Sequence, residues 1–464
     1  ATAANVAAIE YVVPPVTLAP APYAAWAHKH WVWHASRDSN QTADLALVKG
    51  YLDRDVPVGA VNIDSRWSTG INNFKFDTAK FADAKAMIDT FHSWNVSVIL
   101  WATSVIDTDA DVYAYAKQHK YFLNGGRTLK WWHGHGSWID YFNAEGVAWW
   151  HAQMDRVLDL GVDGWKCDGT DPYVFEFVII ESAKGIITQR EYADAYYRDF
   201  YHYTKSKNPN ALIMARPVND YWSFAPHDVM YSGWVGDNDP DFAGLKHALN
   251  DMLQSAWRNY LNFGSDTGGY RSGGRHDLGR SAELLLRWAQ LSAFTPLFEN
   301  GGENEHRPWV FDAHGAAPPG TPANFTLDTY RTFVVLHDEL APYLLAGGAY
   351  GAAHNRSQIT PLGTDEGGWY PTSWQYTLGL PRGDILVAPV TANGTRSLAV
   401  DFPAGATWVD YFSNRTYAGG ATATVAVPLS RAAAFKRAGA LLPLDVRHPY
   451  ASLHGDARHA DHLT

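Results

Sequence analysis

Short apolar runs recur along the first three-quarters of the chain, and most end on a polar or charged side chain. Residues 56–64 form one run and end at Asp64; 96–101 form another; 162–168 end at Asp168. Residues 211–215 lead into Arg216, 229–234 into Gly236-Asp237, and 262–265 into Asp266. Between them lie stretches with helical spacing of apolar positions, at 81–94, 144–160 and 282–291. Unbroken apolar runs suit strands buried on both faces, and strands alternating with amphipathic helices predict parallel β structure. A (β/α)8 TIM barrel fits this α/β pattern and gathers the polar run-ends on one rim. An open doubly wound sheet gives similar alternation, but the chain has no Gly-rich phosphate loop to favour it.

After about residue 370 the pattern changes. Residues 385–390, 397–400 and 421–427 read as short strands separated by Gly and Pro turns, which predicts a C-terminal β-sandwich. The expected division is an extended arm at 1–25, rich in Ala and Pro, a catalytic barrel at 26–345, the sandwich at 346–447 and a polar, His-rich flexible tail at 448–464.

The 464 residues are enough for a barrel of about 250 residues and a smaller domain. A net charge of −11 with only 37 Lys and Arg argues against a nucleic-acid partner and suits a neutral ligand. No apolar run reaches the roughly 18 residues of a membrane span, and no signal-peptide pattern opens the chain. Cys167 is the single cysteine, so no internal disulfide forms. Six Asn-x-Ser/Thr sequons, at Asn40, Asn95, Asn324, Asn355, Asn393 and Asn414, exceed the roughly two or three expected by chance. They point to a glycoprotein that is secreted or in the endomembrane lumen, since a large barrel is stable without disulfides. The 20 Trp and 25 Tyr are either core filler or rings that stack on sugars.

Asp64, Asp168, Asp237 and Asp266 all stand at strand ends. Any one alone reads as a helix cap or a turn. Four together, flanked by Trp, read as a site. Cleavage of a glycosidic bond needs two carboxyl groups, one to attack the anomeric carbon or activate water and one to protonate the leaving oxygen. Their surroundings must push the two pKa values apart. No HExxH pattern and no Cys/His cluster has metal-ligand spacing, so no metal and no cofactor is expected; His133 and His135 read as loop residues.

An ordered set of motifs accompanies these carboxylates: 56–64, Phe74-Lys75-Phe76-Asp77, Trp138-Ile139-Asp140-Tyr141-Phe142-Asn143, Gly164-Trp165-Lys166-Cys167-Asp168, Trp234-Val235-Gly236-Asp237-Asn238, Gly264-Ser265-Asp266-Thr267-Gly268-Gly269-Tyr270, Arg287-Trp288-Ala289-Gln290 and Leu386-Val387-Ala388-Pro389-Val390. From about Ala25 to Pro443 the chain resembles glycoside hydrolase family 31, which includes α-glucosidases, α-xylosidases and α-galactosidases. By that resemblance residues 56–64 look like the first barrel strand. The resemblance implies a retaining, exo-acting α-glycosidase with Asp168 as nucleophile and Asp237 as general acid/base. It also implies that Asp64 binds hydroxyls of the innermost sugar, with Lys166 and Asp266 among the substrate contacts. Arg216 either holds the sugar or the acid/base loop, or forms a structural ion pair, with Asp266 as one partner. Trp101, Trp165 and Trp234 either wall the pocket or pack in the core.

Three departures qualify the resemblance. Where the family places an Arg and a His after the last strand, this chain has Glu299 and Gly301. Glu299 is kept as a substrate-binding candidate, and His306 either supplies the missing imidazole or is an exposed loop residue. After Asp168 the chain reads Gly169-Thr170-Asp171-Pro172 instead of the α-glucosidase continuation, which leans the expectation to α-galactosides. The N-terminal β-sandwich of family members is not among these residues, so a separate chain or fragment is an expected partner beside the glycoside substrate. α-Glucosidase, α-xylosidase and transglycosylase activity remain alternatives, as does an inactive carbohydrate-binding or scaffolding subunit.

Overall fold

The computed structural model describes residues 20–35, 37–169, 171–218, 224–271, 278–363, 372–446, 451–452 and 455–456. Eight short strands form the centre: β1 (His30–His34), β2 (Ala60–Ile63), β3 (Ser97–Ala102), β4 (Gly164–Cys167), β5 (Leu212–Ala215), β6 (Ser232–Trp234), β7 (Phe263–Gly264) and β8 (Phe298–Asn300). Each pairs in parallel with the next up to β7, and β8 pairs with β1. A parallel bridge between Asp266 and Glu299 joins β7 to β8 and closes the ring. The architecture is a (β/α)8 barrel.

The apolar run at 56–64 is therefore the second strand, not the first. The first, His30-Trp31-Val32-Trp33-His34, has imidazoles at both ends and does not read as an apolar run. His30 is nevertheless fully buried, because its ring nitrogens bond Pro57 O at 2.7 Å and Tyr330 Oη at 2.9 Å. A buried polar side chain is tolerated when both its nitrogens are satisfied.

The helices follow their strands: α1 (Gln41–Leu52), α2 (Ala84–Ser93), α3 (Ala144–Leu158), α4 (Gln189–Lys207), α5 (Phe242–Trp257), α6 (Ala282–Ser292) and α7 (Phe325–His354). The connection from β5 to β6 has no helix among the described residues. Polar N-caps start six of them. Asn40, Asp83, Asn143, Thr188, Asp241 and Ser281 each accept a backbone N–H of the first turn. Each cap is worth about 1 kcal/mol and fixes where the helix leaves the rim loop.

Beyond the barrel, a six-stranded antiparallel sheet (359–437) faces a two-stranded one formed by Ser397–Asp401 and Thr422–Ala426. Leu386, Val400, Trp408, Val425 and Phe435 fill the space between them, which makes a β-sandwich. Arg287 of α6 ties it to the barrel. Its buried guanidinium donates to Thr395 O and Val427 O at 2.7 Å and to Pro428 O at 3.2 Å. Gln290 adds Leu429 O at 2.6 Å.

Most of the arm and tail lies outside the described residues. Where the arm is described, Tyr23 is already buried, with its hydroxyl on His28. In the tail, Ala451–Ser452 and Gly455–Asp456 pair as a short ladder. No helix among the described residues is long and apolar enough to cross a membrane.

Candidate active site

Side chains alternate along a strand, so every second residue of β4 faces the barrel axis. Lys166 and, just beyond the strand, Asp168 face inward. Trp165 and Cys167 face outward. Trp165 is packed between Phe74 and Phe200, with its indole N–H on Thr204 Oγ1 at 2.7 Å. The expectation that Trp165 walls the pocket is thereby corrected.

A cavity of about 290 Å³ opens at the C-terminal rim, at the small end of the roughly 300–1,000 Å³ range of ligand pockets. Asp64, Trp101, Lys166, Asp168, Arg216, Trp234 and Asp237 all line it. Arg216, at the end of β5, joins the two central carboxylates. Its Nε lies 2.7 Å from Asp168 Oδ1, and its Nη1 donates to Asp237 Oδ1 at 3.2 Å. Oxygens held by two nitrogens of one planar guanidinium lie at most about 8 Å apart. Arg216 thus pairs with Asp168 and Asp237, not with Asp266.

Asp168 has two further donors, Trp101 Nε1 at 3.0 Å and its neighbour Gly169 N–H at 2.7 Å. These fix the direction of its carboxylate. The two acids differ in access: the Asp168 side chain is 15% exposed and that of Asp237 is 36% exposed. Asp168 is the deeper group, and Asp237 stands nearer the opening.

Beneath them lies a buried charge cluster. Lys166 Nζ is 3.6 Å from both Asp64 Oδ2 and Glu299 Oε1, between the faces of Trp33 at 3.9 Å and Trp234 at 4.8 Å. Burial alone would lower the pKa of Lys166. The surrounding carboxylates, Glu299 foremost, outweigh it and raise the pKa, so the ammonium stays charged. Burial also raises Asp64, against the opposing pull of Lys166. Burial pushes Asp266 well above the ordinary carboxylate range, and Glu299 shifts the same way. Both are fully buried and absent from the cavity wall, so they support the floor instead of touching a ligand.

His306 is also placed elsewhere. It is buried in a separate small hollow behind β1 and β8, with its ring against Arg280 Nη1 at 2.6 Å. Burial, then the Arg280 charge, pulls its pKa well below the usual value. It does not replace the imidazole absent at position 301. Trp33 occupies that space instead, since a Cβ on Gly301 would fall 2.2 Å from its ring.

Six wall residues were not singled out as site candidates by the sequence reading: Ser65, Trp132, Tyr173, His247, Tyr270 and Arg271. Tyr270 closes a motif that was read, and Trp132 stands in a Trp131-Trp132-His133 run. Either could have been flagged by its aromatic neighbours, whereas His247 and Arg271 carry no such signal. Among the described residues no cluster could hold a metal ion. A larger, more open hollow of about 750 Å³ lies between α4 and the end of α7. Several of its charges are paired, Arg198 with Asp194 and Asp228 and Lys184 with Glu191, Arg190 lies over the Phe224 ring, and no strand-end carboxylate faces it.

Facing carboxylates at the C-terminal rim of a (β/α)8 barrel define the class of barrel glycoside hydrolases. The chain belongs to glycosyl hydrolases family 31. The family's TIM-barrel domain matches residues 20–346 and its C-terminal domain matches residues 364–442. Among curated relatives, it is 23% identical over 440 residues to "Alpha-glucosidase 2" of Bacillus thermoamyloliquefaciens, covering 89% of this chain and 52% of that one. It is 27% identical over 432 residues to "1,3-alpha-isomaltosidase" of Kribbella flavida, covering 82% and 57%. Among solved structures, the Flavobacterium johnsoniae GH31 dextranase complexed with glucose superposes with a TM-score of 0.78 at 20% identity, over 92% of this chain and 53% of that one. The chain spans about half the length of the curated relatives it matches.

Proposed function

We propose that this chain is a retaining, exo-acting α-glycosidase that removes a terminal α-linked hexose, with Asp168 as nucleophile and Asp237 as general acid/base. The observation that carries this reading is the sharing of one guanidinium by the two carboxylates at the end of a small cavity. The separation this allows includes the roughly 5–5.5 Å of a retaining pair. Asp168, deep and oriented by Trp101, attacks the anomeric carbon. Asp237, nearer solvent, protonates the leaving oxygen and then takes a proton from the incoming water. Asp64 and Lys166 meet the sugar's hydroxyls on the cavity floor.

The α-galactoside preference rests on the residues after Asp168, of which Thr170 lies outside the described residues. Neither relative named above carries a galactoside name. Turnover of p-nitrophenyl α-galactoside, α-glucoside and α-xyloside decides the sugar. Secretion and glycosylation belong to the same proposal, and five of the six sequon asparagines are exposed. The sixth, Asn40, is half-buried, and its side chain caps α1.

Asp168→Ala is expected to abolish turnover of all three glycosides with an unchanged circular dichroism spectrum. Asp237→Ala is expected to keep activity on glycosyl fluorides, which need no acid, and to yield an α-glycosyl azide when azide is added. Near-normal rates in Asp168→Ala, or a β-azide from Asp237→Ala, would refute the assignment.

A further inference from the structure

Glu299 stands at the middle of β8, a strand of three residues. Its neighbours face outward: Phe298 packs its ring on His30 and Tyr330, and Asn300 donates to Tyr51 Oη at 2.8 Å. Strand alternation therefore turns Glu299 into the barrel. It is completely buried there, and neither of its carboxylate oxygens has a hydrogen-bond partner among the described residues. Lys166, at 3.6 Å, is its ion-pair partner among them. As a source of stability this is a poor arrangement. A buried carboxylate is costly unless it is paired and hydrogen-bonded, and apolar side chains of similar volume are often no less stable.

Its position behind the cavity gives the charge a use. Lys166 Nζ lies 3.6 Å from Glu299 Oε1 and 3.6 Å from Asp64 Oδ2. A closed ammonium–carboxylate hydrogen bond measures about 2.7–2.9 Å, so Lys166 is closed onto neither. Asp64 and Lys166 both line the cavity, whereas Glu299 does not. Asp64 Oδ1 accepts the Ser65 N–H at 2.6 Å, and Oδ2, the oxygen nearer Lys166, accepts no hydrogen bond among the described residues. The rings of Trp33 and Trp234 confine the ammonium at 3.9 and 4.8 Å. Two carboxylates competing for one confined ammonium leave its N–H donors and Asp64 Oδ2 open to a third group. A hydroxyl both donates and accepts, so it can bond to each of them at once.

We propose that Glu299 is a positioning residue that holds Lys166 back from Asp64, so that the two present an open donor–acceptor pair to one hydroxyl of the reacting sugar. This rests on the glycosidase reading above and adds how the cavity floor selects that sugar. Without the Glu299 charge, Lys166 is drawn to Asp64 alone. The pair then closes, and a hydroxyl must break it in order to bind.

The test is steady-state kinetics on the p-nitrophenyl α-glycoside that the wild type prefers and on each of its monodeoxy forms. Glu299→Gln is expected to raise KM for the parent glycoside at least tenfold and to change kcat less than threefold. In the wild type, deletion of at least one hydroxyl should lower kcat/KM tenfold or more, and in Glu299→Gln that penalty should shrink at least fivefold. Glu299→Asp keeps the charge but withdraws it by one methylene, and should shift both readouts the same way by less. Asp266→Asn removes an equally buried carboxyl that no ion pair joins to Lys166, and its deoxy penalties should match those of the wild type. Penalties that stay unchanged in Glu299→Gln for every hydroxyl, or that shrink as much in Asp266→Asn, would overturn the positioning role. If Glu299→Gln does not fold, judged by circular dichroism, Glu299→Asp decides by the same criteria. If neither folds, Glu299 is structural and the proposal falls. If the wild type cleaves no glycoside, the glycosidase reading falls, and binding of galactose, glucose and their monodeoxy forms is followed by tryptophan fluorescence. A deoxy penalty in affinity that shrinks in Glu299→Gln then supports the positioning role, and an unchanged penalty or no binding refutes it.

Discussion

At the scale of single residues, Arg216 carries the most weight. One guanidinium contacts both central carboxylates, and only a planar fork can present separate nitrogens to each. A lysine offers one nitrogen on a flexible stem and cannot hold both in register. Arg216→Lys is expected to lower kcat/KM by two orders of magnitude or more on any glycoside the wild type cleaves, while the unfolding midpoint changes little. Steady-state kinetics beside thermal unfolding check this, and a loss below tenfold would remove Arg216 from its orienting role. The sequon asparagines teach a different lesson at this scale. Asn95, Asn324, Asn355 and Asn414 all adopt left-handed backbone, with φ between 51° and 60°. Asparagine enters that region more readily than other side-chain-bearing residues. Turn geometry therefore accounts for asparagine at these four positions independently of any glycan.

At the scale of elements, α6 decides how barrel and sandwich are joined. Arg287 was legible in the sequence as part of a motif, but its partners were not. They are backbone carbonyls more than a hundred residues away. Burial pulls the Arg287 pKa down to about 10, which leaves it charged at neutral pH. Hydrogen bonds from a charged donor are worth about 1.5–3 kcal/mol each, and a buried acceptor left without its donor costs a similar amount. Arg287→Met is expected to destabilise the protein by on the order of 3 kcal/mol or more and to split calorimetric unfolding into two transitions. A single transition within 1 °C of the wild type would show that the two domains are held by other contacts. Strand alternation acts at this scale too. It explains why Trp165, adjacent to Lys166 in sequence, faces the helices and not the cavity.

For the whole molecule, buried imidazoles shape the response to acid. Burial holds His28 and His30 neutral, pulled down to about 4, and His337 to about 3. In the unfolded chain a histidine takes up its proton near 6.5. As pH falls below about 6.5 the unfolded chain therefore binds protons that the folded chain refuses until about 4 or below. Their stabilising effect is complete above about 6.5 and is lost over that window, by up to about 1.4 kcal/mol per pH unit per histidine. The raised carboxyls Asp266 and Glu299 work in the opposite sense, favouring the fold in acid and opposing it as pH rises through their folded values. The unfolding midpoint is expected to fall between pH 7 and pH 4.5, and His337→Phe should flatten that slope. An unchanged slope in the variant would mean that His337 titrates normally.

The order of apolar runs, their polar ends and the helical periods between them are local properties, and they were sufficient to define a parallel barrel, a following sandwich and the carboxylates of the rim. What sequence could not contain is which inward-facing groups share a layer. Glu299 and His306 were both near the last strand by number, yet one lies beneath Lys166 and the other behind Trp33. The strand His30–His34 was missed because burying an imidazole depends on acceptors supplied by Pro57 and Tyr330, far away along the chain. Trp132 reaches the cavity only because a lobe outside the barrel folds back over it. Periodicity fixes which way a side chain points from its own strand, whereas its partners are set by ring closure and loop return, which are long-range events that no local pattern encodes.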